Sequence, residues 1–538
     1  VTGPARPPRL AVWAVATVVG VVCVPVVAVL LAAVRPDGSW GTDALERVLT
    51  SSRTWRLVAV TVGQAALSCL LTLVVGVPAA FVLYRFRFRG RAALLVAVTV
   101  PFVLPTVVVG AAVAAVLGPG GLVDARGTWF AVLAAHLAFN LAVVVRTVGV
   151  AFRGVPVSLT ASARVLGLRP SAAFRRAVLP AVAPAVGAAS VVVFLYCLTS
   201  FGVLLVLGGG RVSTVEVEIW VRATRQFDVS GAAVLSVLQL LAVVGALAVY
   251  GRVAASARGA RGSGTDPSRR PRGAGERLLV ASTALSVLVV AVLPVGALFV
   301  RSFQLGTVWS ADNWLQLGSV VAGTALSVPP LQAVWYSLVS SSLAAGVAVL
   351  LGVAAARGVA HRAGGASDRL LLLPLGVSAT TVGLGMLLAV GRPPVDLRAS
   401  WWVVPLVQAV VALPLVVRVV APAIRSVPPS LLDAAAVMGR SARSRWWEVE
   451  LPAVRPAVAS GAGLALVACL GEFGATAFVV RSDRPTVPVL VARLLGRPGA
   501  AGYGQAMALS CVLVVVCAVV LALVDRAGRG SGRSATVL

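Results

Sequence analysis

About twelve apolar runs recur along this chain of 538 residues, each long enough to cross the ~30 Å hydrocarbon layer of a bilayer as a helix of roughly 20 residues. They fall at 10–34, 57–84, 92–117, 128–152, 183–207, 231–251, 278–300, 333–356, 370–391, 401–421, 457–480 and 504–524. Lipid offers a backbone N–H or C=O no partner, so a spanning segment must be a helix or part of a closed barrel. The short apolar/polar alternation of barrel strands is missing. The expected fold class is therefore all-α, a polytopic membrane protein. Composition agrees: 59% of the residues are hydrophobic and only 12% charged, against about 25% charged in soluble domains.

The remaining charge is one-sided. Forty-six basic residues outweigh 18 acidic ones to give +28, and every basic residue is arginine. Such an excess would suit nucleic acid, but the arginines lie in short segments between spans, where positive charge sets membrane orientation. Nucleic acid is thereby excluded as a partner and the lipid membrane takes its place. One set of segments is strongly positive: the N-terminus, Arg85/Arg87/Arg89/Arg91, 153–182, 252–277, Arg357/Arg362/Arg369, 422–456 and Arg526/Arg529/Arg533. The intervening set offsets its arginines with acids such as Asp37, Asp43, Glu46, Asp124, Glu216, Glu218, Asp228 and Asp396. The first set is expected in the cytoplasm, together with both termini. The first span follows Arg6 and Arg9, lacks a small-residue cleavage site after it, and reads as a retained anchor. Six cysteines fall inside apolar runs without CxxC spacing and read as small apolar side chains.

Residues 251–277, rich in Gly, Ser, Pro and Arg, cannot bury a core and read as a flexible cytoplasmic linker over 252–277. On either side of it the sequence repeats. Residues 155–186 lie over 427–458 without a gap, at the offset of 272 that sets Gly167 against Gly439. In that register Pro156 meets Pro428, Ser158 meets Ser430, Leu179-Pro180 meets Leu451-Pro452, and Pro184 meets Pro456. The register runs on through Cys197/Cys469 and Phe201-Gly202/Phe473-Gly474, and back to Arg146/Arg418. Matched Pro and Gly positions are not a by-product of Ala/Val richness. Two parallel halves of six spans each are expected, 1–251 and 278–538, packed about a pseudo-two-fold axis along the membrane normal.

Within the second half, residues 433–452 carry three arginines and three acids between two oily spans. Ser430-Leu-Leu-Asp433 has the form of a capping box, which predicts a helix start. Gly439 predicts a left-handed end to that helix, Ser441 a second cap, and Pro452 a stop. The expected product is a helix–turn–helix outside the bilayer, and its near-copy at 155–180 argues against a mere connector.

Asp433-Ala434-Ala435, three residues, Gly439, nine residues, Val449, one residue, Leu451-Pro452 resembles the E-A-A-x3-G-x9-I-x-L-P signature of ABC importer permeases, with Asp for Glu and Val for Ile. The first copy departs from it: Ala161-Ser162-Ala163 stands where the acid should be and Ala177 at the apolar position, while Gly167, Leu179 and Pro180 remain. Over nearly its whole length the chain resembles the fused two-half permeases for ferric iron and thiamine. That resemblance implies a bacterial cell membrane location and coupling segments at 155–180 and 427–452 docked on a cytoplasmic ABC ATPase homodimer. It also implies alternating access driven by that ATPase and delivery of ferric iron or thiamine by an extracytoplasmic substrate-binding protein.

No Walker A motif occurs, and none could without lysine. ATP is thus expected only on the partner, and this chain is expected to be a transport subunit with no cofactor and no metal site of its own. Acids inside the membrane are functional by default, which singles out Glu472 as a pathway residue with its repeat partner Ser200 and its neighbours Phe473 and Gly474. The alternative for Glu472 is a buried carboxylate paired with Arg418. Arg146 and Arg418 are expected to snorkel, and His136 to be hydrogen-bonded packing. A two-half secondary transporter would also have twelve spans, but it should carry charged relays in several helices. An enzyme would need clustered His, Cys or acids.

Overall fold

The computed structural model describes residues 9–35, 39–257, 268–306, 308–320, 327–360, 377–392, 395–397, 400–496 and 499–529. Among these, nine helices are long and apolar enough to cross a bilayer: Ser52–Arg85, Trp129–Gly154, Ser171–Leu198, Val229–Arg252, Gly273–Ser302, Pro330–Ala360, Val403–Arg425, Ala442–Gly471 and Ala500–Val524. The only strands among the described residues form two short ribbons in connections, Gln304–Leu305 with Val308–Trp309 and Gly391–Arg392 with Val395–Asp396. The protein is a polytopic all-α membrane protein.

On that measure the expected twelve spans are not reached. The run 92–117 is two helices, Arg91–Val103 and Thr106–Leu117, meeting at 112°, and counted as one broken span they make ten. Pro105 causes the break: its ring disfavours helical backbone at the preceding residue, and Leu104 is extended with ψ 146. The run 10–34 appears as helix Arg9–Val34. The run 370–391 is represented by the shorter Ala379–Val390, and residues 370–376 lie outside the described residues.

Two other runs stop early. Helix Leu179–Leu198 ends before Ser200 and a short helix Gly202–Leu207 follows; helix Leu451–Gly471 ends before Glu472 and Thr476–Val479 follows. At the offset of 272 the elements correspond in order: Ser52–Arg85 with Pro330–Ala360, Trp129–Gly154 with Val403–Arg425, Leu179–Leu198 with Leu451–Gly471, and Val229–Ala257 with Ala500–Arg529. The segment expected to be linker is helical at both margins, to Ala257 and from Gly273, and residues 258–267 lie outside the described residues. Its far end is tied down, since Arg269 donates its N–H to the Arg85 carbonyl at 3.0 Å and accepts from Arg87 N–H at 2.8 Å.

In lipid, helices associate through close packing rather than through the hydrophobic effect. Each half has such a seam. A Cβ on Gly76 would stand 2.7 Å from Val144, and one on Gly352 2.8 Å from Val416, so only glycine lets those backbones approach. Val144 and Val416 are repeat equivalents, and the two glycines lie one helical turn apart in register.

Candidate functional site

Two short helices stand between spans at equivalent positions, Val157–Val165 and Pro429–Val437. Each starts after a proline, Pro156 or Pro428, without a side-chain cap. The expected cap at Ser430 is therefore corrected. Pro429, which has no N–H to satisfy, takes the first helical position, and Ser430 lies inside the first turn.

Both helices end the same way. Gly167 has φ +79 and Gly439 φ +76. Gly439 N–H donates to Ala436 O at 3.0 Å and Arg440 N–H to Ala435 O at 3.0 Å; Gly167 N–H donates to Arg164 O at 3.0 Å and Leu168 N–H to Ala163 O at 3.2 Å. This double return is the Schellman motif, which requires a left-handed residue. Space would admit a side chain at either glycine, since nothing lies within 4 Å of an added Cβ; the backbone angle does not. Ala163 and Ala435 are buried, while Ala161, Asp433 and Ala434 are exposed. At the tips, large apolar side chains face outward: Val165 is 87% and Leu166 81% exposed, and Val437 89% and Met438 73%. Ser441 caps the next helix, accepting from Ser444 N–H at 3.2 Å.

Pro452 does not stop that helix, which continues from Ala442 to Gly471. In a regular α-helix proline lacks a donor and its ring strikes the carbonyl four residues back. A wider π-turn ahead of it relieves the clash. Such turns, Phe174–Val178 and Trp446–Glu450, immediately precede Leu179-Pro180 and Leu451-Pro452, and Leu288–Val292 precedes Leu293-Pro294 in the same way.

The second π-turn is clamped by a residue that sequence reasoning placed only as a loop charge. Arg357 lies 3.7 Å from the Glu450 carboxylate, with its guanidinium 4.4 Å from the Trp446 ring centroid. Its repeat equivalent is Arg85, and there Val178 stands in place of Glu450. The offset alone could have flagged this exchange.

Deeper in the bundle, the expected pathway residues gather at the two helix breaks. Glu472 is not inside a helix. It sits at the C-terminal end of Leu451–Gly471 with ψ 124, and its two carboxylate oxygens accept from the N–H groups of Ala475 at 2.7 Å and Thr476 at 2.9 Å. The pairing with Arg418 is not formed; Arg418 is exposed. Ser200, at the other break, bonds His136 Nε2 at 2.9 Å, while His136 Nδ1 meets Ser68 Oγ at 2.9 Å. Arg146 bonds Thr99 Oγ1 at 2.7 Å.

The halves touch here. Phe201 and Phe473, equivalent residues, stack with centroids 5.1 Å apart at 16°. Beside them Gly202 packs on Thr106 and Val107, and Gly474 on Ala379, again equivalent surfaces. Glu216, expected among the acids of the segments between spans, is fully buried; it accepts from Gln239 at 3.1 Å and from the Thr380 hydroxyl across the half boundary. Among the described residues no cluster of His, Cys, Asp and Glu could hold a metal ion.

A family model described as "Binding-protein-dependent transport system inner membrane component" matches residues 348–530. The chain is 28% identical over 545 residues to the thiamine transport system permease protein ThiP of Brucella abortus (strain 2308), covering 93% of this chain and 92% of that protein. It is 28% identical over 507 residues to the ThiP of Escherichia coli (strain K12), covering 88% and 89%. Over 192 residues, 35% of this chain and 69% of the relative, it is 34% identical to a protein of Haloferax volcanii named "Probable molybdenum ABC transporter permease protein".

Proposed function

The chain belongs to the family of binding-protein-dependent transport system inner membrane components, and from that premise we propose that it is the fused two-half permease of a thiamine importer. As an ABC permease it is a multi-pass membrane subunit and not an enzyme, with ATP hydrolysis on a separate subunit. The cargo follows two relatives that match about nine-tenths of the chain and carry thiamine in their names; ferric iron was the other expectation.

In this reading residues 1–251 and 278–538 are the two halves, joined by 252–277, with both termini in the cytoplasm. Segments 155–180 and 427–452 dock on the two members of an ATPase homodimer, a helix-in-groove contact. The observation that supports it is the pair of Schellman-capped helices, alike in backbone and each presenting an exposed apolar tip. Asp433-Ala434-Ala435, Gly439 and Leu451-Pro452 carry one contact; Ala161, Ala163, Gly167, Leu179 and Pro180 carry the other. Closure of the ATPase draws the two helices together and moves the halves as rigid bodies. Because Phe201 and Phe473 meet where the halves meet, that motion must part them, which makes Phe473, Gly474, Ser200 and Glu472 gate residues. A separate extracytoplasmic protein delivers the substrate, and no cofactor is assigned to this chain.

The test is ATP-dependent uptake of labelled thiamine by proteoliposomes holding this chain, its ATPase and its binding protein. Uptake of thiamine is expected. Uptake of ferric iron instead would replace the cargo, and ATP-independent uptake driven by an ion gradient would overturn the class.

A further inference from the structure

The second half answers Arg357 with the carboxylate of Glu450. The first half has Arg85 at the equivalent position, half-buried at the end of its helix, and the buried Val178 where the acid would be. No carboxylate lies within ion-pair distance of Arg85 among the described residues. In front of it opens a cleft of about 900 Å³ lined by Arg85, Arg164, Arg175, Arg269 and Arg272, with no acid among its lining residues. Arg269 is already engaged by Glu276, which also faces Arg272; Arg85, half-buried, and the exposed Arg164 and Arg175 line the same cleft. Apart from Thr160 and Ser171 the remaining walls are mostly apolar, and those from Val77, Pro78 and Phe81 on one side to Leu179 and Leu279 on the other belong to spans.

A cluster of like charges beside a low-dielectric wall attracts a counter-charge, most strongly at the half-buried Arg85. Guanidiniums favour phosphate, which they engage through paired N–H groups. An occupant of this cleft must therefore join a phosphate anion to an apolar body, and basic pockets between spanning helices suit such head groups. We infer that the cleft binds an anionic phospholipid, whose phosphate takes the place in the first half that Glu450 takes in the second. The lipid then braces the π-turn Phe174–Val178 beneath the first docking helix, as the Arg357–Glu450 pair braces Trp446–Glu450. This inference concerns lipid, not cargo, and does not depend on what the protein transports.

The test is native mass spectrometry of the full chain in mild detergent, supplied with phosphatidylglycerol, with phosphatidylcholine, or with inorganic phosphate. Retention of phosphatidylglycerol over phosphatidylcholine is expected. Loss of one arginine should lower that retention roughly fivefold, read in Arg85→Gln and, in case that variant folds poorly, in the exposed Arg272→Gln. Val178→Glu should supply the missing acid and abolish retention. Equal retention of the two lipids, retention unchanged in all three variants, or binding of inorganic phosphate as tight as that of phosphatidylglycerol would overturn the proposal.

Discussion

The segments at 155–180 and 427–452, proposed to dock on the ATPase, share a backbone and differ in charge. Both are short proline-started helices closed by a left-handed glycine, and both run into a span through a π-turn and a proline. The second has Asp433 on its exposed face and, at its base, Glu450 paired with Arg357 of the helix Pro330–Ala360. The first has Ala161 and Val178 at those places, beside a cleft lined by five arginines and no acid. The lesson is that the same backbone stands in both halves while the charge stands in one: the turn does not depend on the acid beneath it.

The largest effect that separates the halves should come from the ion pair. Arg357→Gln strips Glu450 of a buried partner and should cost roughly 2–4 kcal/mol, toward the low end for breaking a buried pair because the Arg357 side chain is 18% exposed. Arg85→Gln should cost far less, since no pair is broken. Thermal unfolding of the two variants in the same micelle checks this, and equal losses would erase the contrast.

Gly439→Val comes next. A β-branched residue at φ +76 is strained by about 1–3 kcal/mol, and the tip it holds should lose the ATPase. Gly167→Val carries the same strain, so stability should fall equally while co-purification of the ATPase falls further for Gly439. Should Gly167→Val cost as much transport, the halves share the docking load.

Glu472→Gln keeps one acceptor oxygen but turns an NH2 toward a backbone N–H, losing one of two bonds worth about 1–2 kcal/mol. Uptake is expected to fall while assembly with the ATPase persists; Ser200→Ala at the equivalent break should do less. Wild-type uptake by the Glu472 variant would remove it from the gate. The smallest effect is expected at the exposed Asp433: replacement by Ala should weaken ATPase affinity by about fivefold at most, as for an exposed interface charge. Ala161→Asp should move the first segment the opposite way by a similar factor.

Much of this was legible in the residues. Apolar length pointed to most of the spans but not their number, matched prolines and glycines set the register, and Gly167, Gly439 and Ser441 behave as their chemistry dictates. The breaks were not legible, because a run that turns inside the protein is as apolar as one that crosses straight through. Runs 183–207 and 457–480 hide their ends at Ser200 and Glu472 for that reason. Pro452 misled for another: the wider turn just before it lets the helix carry on past the proline. Glu216 misled as well, because a loop acid and a buried one look alike until Thr380 is found across the half boundary.

The Phe201–Phe473 stack has a genetic meaning as well as a mechanical one. In a permease assembled from two identical chains, any codon change at a residue on the symmetry axis would appear on both sides at once, and a large ring could be replaced only by another pair that fits itself. Fusion uncouples the two positions. Ser200 and Glu472, next to the matched rings, already differ, so this contact can acquire handedness one mutation at a time.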